Sequence, residues 1–376
     1  VRILVTTVAL PGHFFPLVPL AWAARAAGHE VLVACAAEFV RTVLGSGLPA
    51  VTTGPGERFD DVSADDRPVA GLTEQRTEHG RVFGRMAARN LPGLTEIAKA
   101  WKPDLVLSER AEFAGPLLAA QSGLPQIELH WGMAELPEYR TGAVTELSKR
   151  DLPAPPEAGR WLNPWPPSLR RPYAAGHDSI RTLSYNGEAR VPDWVMRQRR
   201  RPRICLTLGT VVPRSGTNQV AHGAVDIVRA LCGLGAEVVV AIDDGIAATW
   251  PPLPPAVRHV GRLPLSQVLP VCDVIIHHGG QGTSLTALET GLPQLVLPVF
   301  DDQFDNAEAV VRAGAGLSLP PHSVEPATIA QQCAEILATP GFRSAAAVIA
   351  HEIAAMPTPL HVVTTTLHPP PLRRVA

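Results

Sequence analysis

Seven residues, HHGGQGT (277–283), set two histidines and three glycines between an apolar run, DVII, and a stretch with helical spacing that stops at Gly291. A helix beginning near Gly282 or Thr283 would leave unpaired N–H groups and about half a positive charge at its first turn. Gly279, Gly280 and Gly282 let a phosphate approach that backbone, and His277 and Thr283 add side-chain donors where a diphosphate would lie. The chemistry offered is anion binding. The competing reading is a tight strand-to-helix turn with histidines packed on a sheet edge, and HHGGQGT alone does not decide between the two.

Two further polar sets point the same way. LTLGT (206–210) ends a β-branched run, so that Thr210 and its amide can reach the same phosphates. VFDDQFDNAEAV (299–310) puts Asp301, Asp302 and Gln303 directly after another such run, and carboxylate and amide groups suit the hydroxyls of a sugar. Their alternative role is an N-cap cluster, although Asp305 could cap the following helix alone. Near the N-terminus, His13 in LPGHFFPL follows a short strand, where an imidazole can act as a general base near neutral pH. Phe14 and Phe15 beside it offer apolar surface to an acceptor. A lone histidine more often caps a helix or donates to a carbonyl, so His13 draws its weight from topology. Neither GxGxxG after the first strand nor GxxxxGK[ST] occurs, which removes support from hydride transfer and ATP hydrolysis.

The elements that must hold these residues are legible from periodicity. RILVTT (2–7), EVLVACA (30–36), DLVLSE (104–109) and QIELH (126–130) are apolar strands alternating with helical stretches, the pattern of a parallel sheet covered on both faces. Around residues 135–200 proline crowds the chain, and RQRRRPR (197–203) reads as a solvated linker. From RICLTLGT (203–210) the rhythm restarts through EVVVAID, VRHVGRL, DVIIHHGG and QLVLPV. The expectation is α/β, with two Rossmann-like doubly wound domains, 1–195 and 203–357, facing across a cleft lined by strand ends.

Composition agrees. A chain of 376 residues, 46% hydrophobic and 18% charged, exceeds the usual single core of roughly 100–200 residues. A formal charge of -2 provides no global field for nucleic acid or an acidic membrane, so neither is expected as a partner. The five cysteines form no CxxC, which fits reduced thiols in a cytoplasm and indicates neither a disulfide framework nor structural zinc. LVTTVALPGHFFPLVPLAWAA is interrupted by Gly12, His13 and three prolines, so it is not read as a secretory signal, and a spanning helix is not expected elsewhere.

Taken together, GHFFPLVPLA, AAGHEV, LTLGT, VGRLPLSQVLPVCD, HHGGQGT, ETGLPQLVLP and DDQFDNA resemble the bacterial antibiotic and natural-product glycosyltransferases of the large GT-B family, over nearly the whole chain. The resemblance implies a nucleotide-sugar donor held mostly by the C-terminal domain and a small-molecule acceptor held mostly by the N-terminal domain. It implies that His13 deprotonates the acceptor for inverting attack, with Glu109 as the match for the acidic partner that orients the histidine. The donor contacts carried over are Thr210, Arg262, Leu263, His277, His278, Gly279, Gly280, Gly282, Thr283, Asp302 and Gln303. Arg262 stands where many relatives have a base-stacking tryptophan, and a guanidinium plane can also stack. His278 stands where they have a small residue, able to replace or assist His277. No metal is expected, because a helix N-terminus and histidine donors can stabilise the leaving diphosphate.

The HHGG variety looks like actinobacterial enzymes that use dTDP-deoxysugars on polyketides. For the acceptor pocket, Phe14, Phe15, Phe83, Met86, Trp131 and Met133 are the apolar residues so placed, each of which can equally be core. The segment after Pro357 is expected to return to the N-terminal domain, and the resemblance leaves room for a homodimer or an auxiliary activator protein. Two other functions compete: a nucleotide-sugar epimerase, against which Phe14 and Phe15 count, and a silent sugar-nucleotide binding protein, against which His13 together with the whole donor set counts.

Overall fold

The computed structural model describes residues 1–56, 71–209 and 223–366. It divides into two compact units, one comprising Val1–Trp131, Glu135–Tyr185 and the chain from Met356, the other Gly132–Ala134 and Asn186–Ala355.

In the first unit the described strands form a seven-stranded parallel sheet: β1 (Arg2–Thr6), β2 (Glu30–Cys35), β3 (Ala50–Thr52), β4 (Leu105–Glu109), β5 (Gln126–Leu129), β6 (Arg160–Asn163) and β7 (Asp178–Ser179), in the order β3-β2-β1-β4-β5-β6-β7. The central strands are buried along nearly their whole length, as continuous apolar β-branched runs require when helices cover both faces. β1 pairs with β2 on one side and β4 on the other, Val5 opposite both Val33 and Leu107. The order reverses between β1 and β4, the place where open α/β sheets leave a crevice at their carboxyl ends.

One long helix, Leu72–Trp101, lies against the helix Pro137–Ser148 at backbone contact. A Cβ on Gly80 would fall 2.3 Å from the Tyr139 carbonyl oxygen, and one on Gly142 2.1 Å from that of Thr77. A side chain at either position would therefore force the helices apart at this crossing, where the Phe83 and Tyr139 rings meet at 5.2 Å.

The second unit repeats the plan among its described residues. β8 (Arg203–Thr207), β9 (Glu237–Ala241), β10 (Val257–Gly261), β11 (Val274–His277), β12 (Gln294–Val296) and β13 (Gly316–Ser318) form a parallel sheet ordered β10-β9-β8-β11-β12-β13. Its reversal lies between β8 and β11, with His277 opposite Thr207.

The division falls earlier than residue 195. Trp194 is buried with Cys205, Val239 and Leu263 in the second unit's core, under the Arg203 guanidinium at 4.7 Å. The basic run is also not simply solvated: Arg199 grips the Asp273 carboxylate with both terminal nitrogens, and Arg203 bonds Glu237 at 2.8 Å. Burial pushes the Asp273 carboxyl up, but the hydrogen bonds from Arg199 and from the Arg203 amide, with the charges of Arg199 and Arg343, hold it below the usual carboxylate range. In the first unit, Val362 and Val363 of the helix Pro359–Thr366 join the core formed by Ile3, Val5 and Leu20. Pro340–Thr366 is long and apolar enough to cross a membrane by length and composition alone, yet Ala346, Ile349, Ile353, Val362 and Val363 within it are buried in the protein.

Candidate active site

His13 lies in a one-turn helix, Pro11–Phe14, directly after β1, and Glu109 is the last residue of β4, so the two strands that flank the reversal deliver the pair. His13 Nδ1 stands 3.1 Å from Glu109 Oε1, within ion-pair distance but off the line of a hydrogen bond. The carboxylate is buried and held from three other directions: it accepts from the Val8 amide at 3.3 Å, the Ala111 amide at 2.8 Å and the Trp131 indole N–H at 2.6 Å. Burial by itself would raise its pKa, but the His13 charge and these donors bring it below the ordinary value, so Glu109 is ionised at neutral pH. The imidazole is walled by Trp131, edge-on at 4.9 Å, and Phe83 at 5.6 Å. With Nδ1 turned to the carboxylate, Nε2 is the atom left to take a proton.

A second carboxyl in the same turn was not anticipated. Glu112 is buried, with Oε2 2.5 Å from the Thr6 hydroxyl at the end of β1, and it accepts from the Ala114 and Gly115 amides at 2.9 and 2.8 Å. It thus caps the helix Ala114–Ser122 while tying β1 to the β4 turn. Three residues of spacing from Glu109 was the only sequence signal. Burial pushes Glu112 up to about 7 against those hydrogen bonds, with the Glu109 charge adding to the rise. Since the folded carboxyl holds its proton more tightly than the ordinary value of 4.5, stability is full below about pH 4.5 and declines as pH rises towards 7. At about 1.4 kcal/mol per unit the loss has an upper bound of about 3 kcal/mol. Glu112→Gln should flatten that slope, which melting temperatures from pH 4.5 to 7.5 would show; parallel slopes for the two proteins would refute it.

In the second unit, β11 runs into the turn His278–Gly280 and the helix Gln281–Glu289. The helix start carries no side-chain cap and no acidic residue in its first turn, and the space around Gly282 Cα is open, with nothing within 4 Å of an added Cβ. Thr283 is half-buried in that first turn. This is the anion-binding geometry of a helix N-terminus.

The two histidines do different things. His277 is fully buried, its Nε2 donating to Gln294 Oε1 at 2.8 Å and its Nδ1 accepting the Gly279 amide at 3.1 Å. Burial lowers it to about 3, so it is neutral with both nitrogens spent. The expectation that His277 donates to a phosphate is corrected: it shapes the glycine turn from behind. His278 points the other way, over the glycines of both turns at the reversal. A Cβ on Gly209 would meet its Cε1 at 2.4 Å, and one on Gly280 its Nε2 at 2.5 Å. Its Nδ1 is buried without a hydrogen-bond partner among the described residues, and burial holds its pKa down at about 4.

The remaining expected residues divide in the same way. Asp302 precedes the helix Gln303–Arg312, with Oδ2 accepting from Asn306 Nδ2 at 2.7 Å. Asp301 before it is buried with φ of 54°, a left-handed conformation uncommon outside glycine and asparagine. Gln303 turns inward, its Oε1 accepting the Val299 and Phe300 amides at 2.9 and 3.3 Å, so its carbonyl orders the loop and is not offered to a sugar. Leu263 is core, and Arg262 is ion-paired with Asp243 at 2.7 Å, its guanidinium fixed from the β9 end. Phe14 is fully buried against Phe39, which removes it from the acceptor surface; Phe15 is half-buried, edge-on to Tyr185. Phe83 and Trp131 do meet His13, while Met86 is buried further along the Phe83 helix. Met133 belongs to the second unit, its amide bonded to Asn306. Thr210 lies outside the described residues.

Known proteins match this chain over nearly its whole length. Residues 22–209 match the N-terminal domain and residues 226–368 the C-terminal domain of the family described as erythromycin biosynthesis protein CIII-like. The L-demethylnoviosyl transferase of Streptomyces niveus is 38% identical over 95% of each chain, and the tylactone mycaminosyltransferase of Streptomyces fradiae 32% identical over 96% of this chain and 91% of its own. Among solved structures, the glycosyltransferase SsfS6 of Streptomyces sp. SF2575, complexed with thymidine diphosphate, is 36% identical with a TM-score of 0.83, over 97% of this chain and 98% of its own. The spinosyn rhamnosyltransferase SpnG with thymidine diphosphate is 30% identical with a TM-score of 0.86, over 98% and 100%. Two doubly wound parallel sheets, both family domains in order and relatives aligned end to end lead to one conclusion: the chain belongs to the erythromycin biosynthesis protein CIII-like family and is a nucleotide-sugar-dependent glycosyltransferase of the GT-B fold.

Proposed function

We propose that this enzyme moves a deoxysugar from a dTDP-sugar to a polyketide or other aromatic natural-product acceptor, with inversion at the anomeric carbon. The observation that carries the reading is His13 standing 3.1 Å from the buried, ionised Glu109 between two aromatic rings. In this reading His13 Nε2 takes the acceptor proton as its oxygen bonds the anomeric carbon and the diphosphate leaves, while Glu109 stabilises the imidazolium. The open helix start at Gly282, with Gly279, Gly280, Thr283 and His278, receives the diphosphate charge. These donors make a metal unnecessary for the leaving group. Support for dTDP comes from relatives crystallised with thymidine diphosphate, and support for the acceptor class from a relative crystallised with spinosyn aglycone and from tylactone and aklavinone transferases.

Calorimetric titration with dTDP and UDP, each with and without EDTA, tests this. We expect tighter binding of dTDP, indifferent to EDTA, and a loss of about tenfold in His278→Ala, the size of one hydrogen bond to a charged group. His277→Ala should chiefly lower the melting temperature, because it strands Gln294 and the Gly279 amide. No binding of either nucleotide by folded protein would overturn the donor-site assignment.

A further inference from the structure

Asn306 lies one helical turn beyond Asp302, is fully buried, and uses both ends of its amide on three separate segments of the second unit. Its Nδ2 donates to the Gly279 carbonyl of the glycine turn at 2.9 Å and to Asp302 Oδ2 at 2.7 Å. Its Oδ1 accepts the Met133 amide at 2.9 Å, in a segment also held by Gly132 N–H donating to Gln281 Oε1 at 2.5 Å. The Gly132–Asp302 approach is tight, since a Cβ on Gly132 would come 2.9 Å from Asp302 Oδ2.

Deleting such a group removes one hydrogen bond each from a backbone carbonyl, an amide and a carboxylate oxygen, and each has its own optimum position. We propose that Asn306 is a positioning residue that locks the phosphate-binding turn and the carboxylate of Asp302, which the family resemblance puts at the sugar, into one register, so that the two halves of the donor are recognised together. This rests on the donor-site reading above. Asn306 touches neither half itself. Its effect falls on the geometry between them: the nucleotide diphosphate alone needs only the turn, whereas a nucleotide sugar needs the turn and the carboxylate at a fixed spacing.

The test compares dTDP with dTDP-glucose as probes, in wild type, Asn306→Ala and the isosteric Asn306→Asp, which keeps the acceptor for Met133 and removes the donor to Gly279 and Asp302. Melting temperatures show that each variant is folded. The expected result is a fall of about tenfold or more in dTDP-glucose affinity against a fall of about threefold or less for dTDP, in both variants. The double variant Asn306→Asp with Asp302→Asn reverses the pair, and should recover melting temperature without recovering the preference for the sugar-bearing ligand. Equal proportional losses for the two ligands, or a change in melting temperature alone, would make Asn306 a packing residue and overturn the proposal. Wild type that binds dTDP but prefers neither ligand would also overturn it, and wild type that binds neither would remove the donor-site reading itself.

Discussion

His13→Ala should lower the rate of sugar transfer by about 10²–10⁴-fold, the usual contribution of a positioned general base, while leaving dTDP affinity within about twofold. The expectation follows from a division of labour. The imidazole sits on the first unit after β1, and every group assigned to the diphosphate sits on the second. The acceptor hydroxyl is a poor nucleophile until its proton has somewhere to go, and the proposed function gives that task to the ring next to an ionised Glu109. Glu109→Gln should be intermediate, since its one amide oxygen can still accept from Ala111 and Trp131, while the acceptor for Val8 and the charge that favours imidazolium are lost. Single-turnover transfer assays beside calorimetric titration would measure both quantities. Turnover within about threefold of wild type in His13→Ala would assign the base elsewhere.

The second large effect is expected from Gly279→Val. Gly279 has φ of 89°, where a side chain is strained, and an added Cβ would lie 2.9 Å from Val296 Cγ1 and 3.0 Å from the Gln303 carbonyl oxygen. Both its peptide groups are committed, the amide to His277 and the carbonyl to Asn306. The turn cannot swing away without losing two buried hydrogen bonds. Strain and overpacking together should destabilise the second unit by roughly 3 kcal/mol and reduce dTDP affinity by more than about tenfold. Gly282→Ala is the informative contrast, because its Cβ meets nothing and the position is helical. It should leave the melting temperature unchanged or higher, yet weaken dTDP through a methyl group in the path of the phosphate. Thermal melting and titration on the pair separate the two mechanisms, and retention of full dTDP affinity in both variants would remove the phosphate from this turn.

How much was legible in the sequence depended on the kind of information each feature carries. The two sheets and the strand ends that bear polar groups are written locally: RILVT, LVLSE, RICLT and VIIH are apolar and β-branched along their length, and only burial on both faces makes such runs stable. His13 and HHGGQGT therefore stood out as polar interruptions at the carboxyl ends, whereas Glu109 entered only through the family resemblance; the structure does bring His13 to Glu109. Which of two adjacent histidines would face a ligand was not local. Successive side chains of an extended segment point to opposite sides, so a single residue of register sends His277 into the sheet to meet Gln294 and sends His278 outward over Gly209 and Gly280.

The aromatic and apolar residues were ambiguous for another reason. Phe14 and Leu263 satisfy burial equally well in a core or in a pocket, and only packing assigned them to the core, as it assigned Phe83 and Trp131 to the wall of the His13 site. Arg262 found its partner on a different strand end, at Asp243. By itself, then, the sequence determined two parallel α/β sheets, the strand ends that carry chemistry, and the glycine turn at a helix start. Tertiary structure alone decided the Thr6–Glu112 tie, the inward turn of His277 and Gln303, and the bonds that gather Gly279, Asp302 and Met133 on Asn306, because each joins residues whose proximity depends on strand order and no local periodicity encodes it.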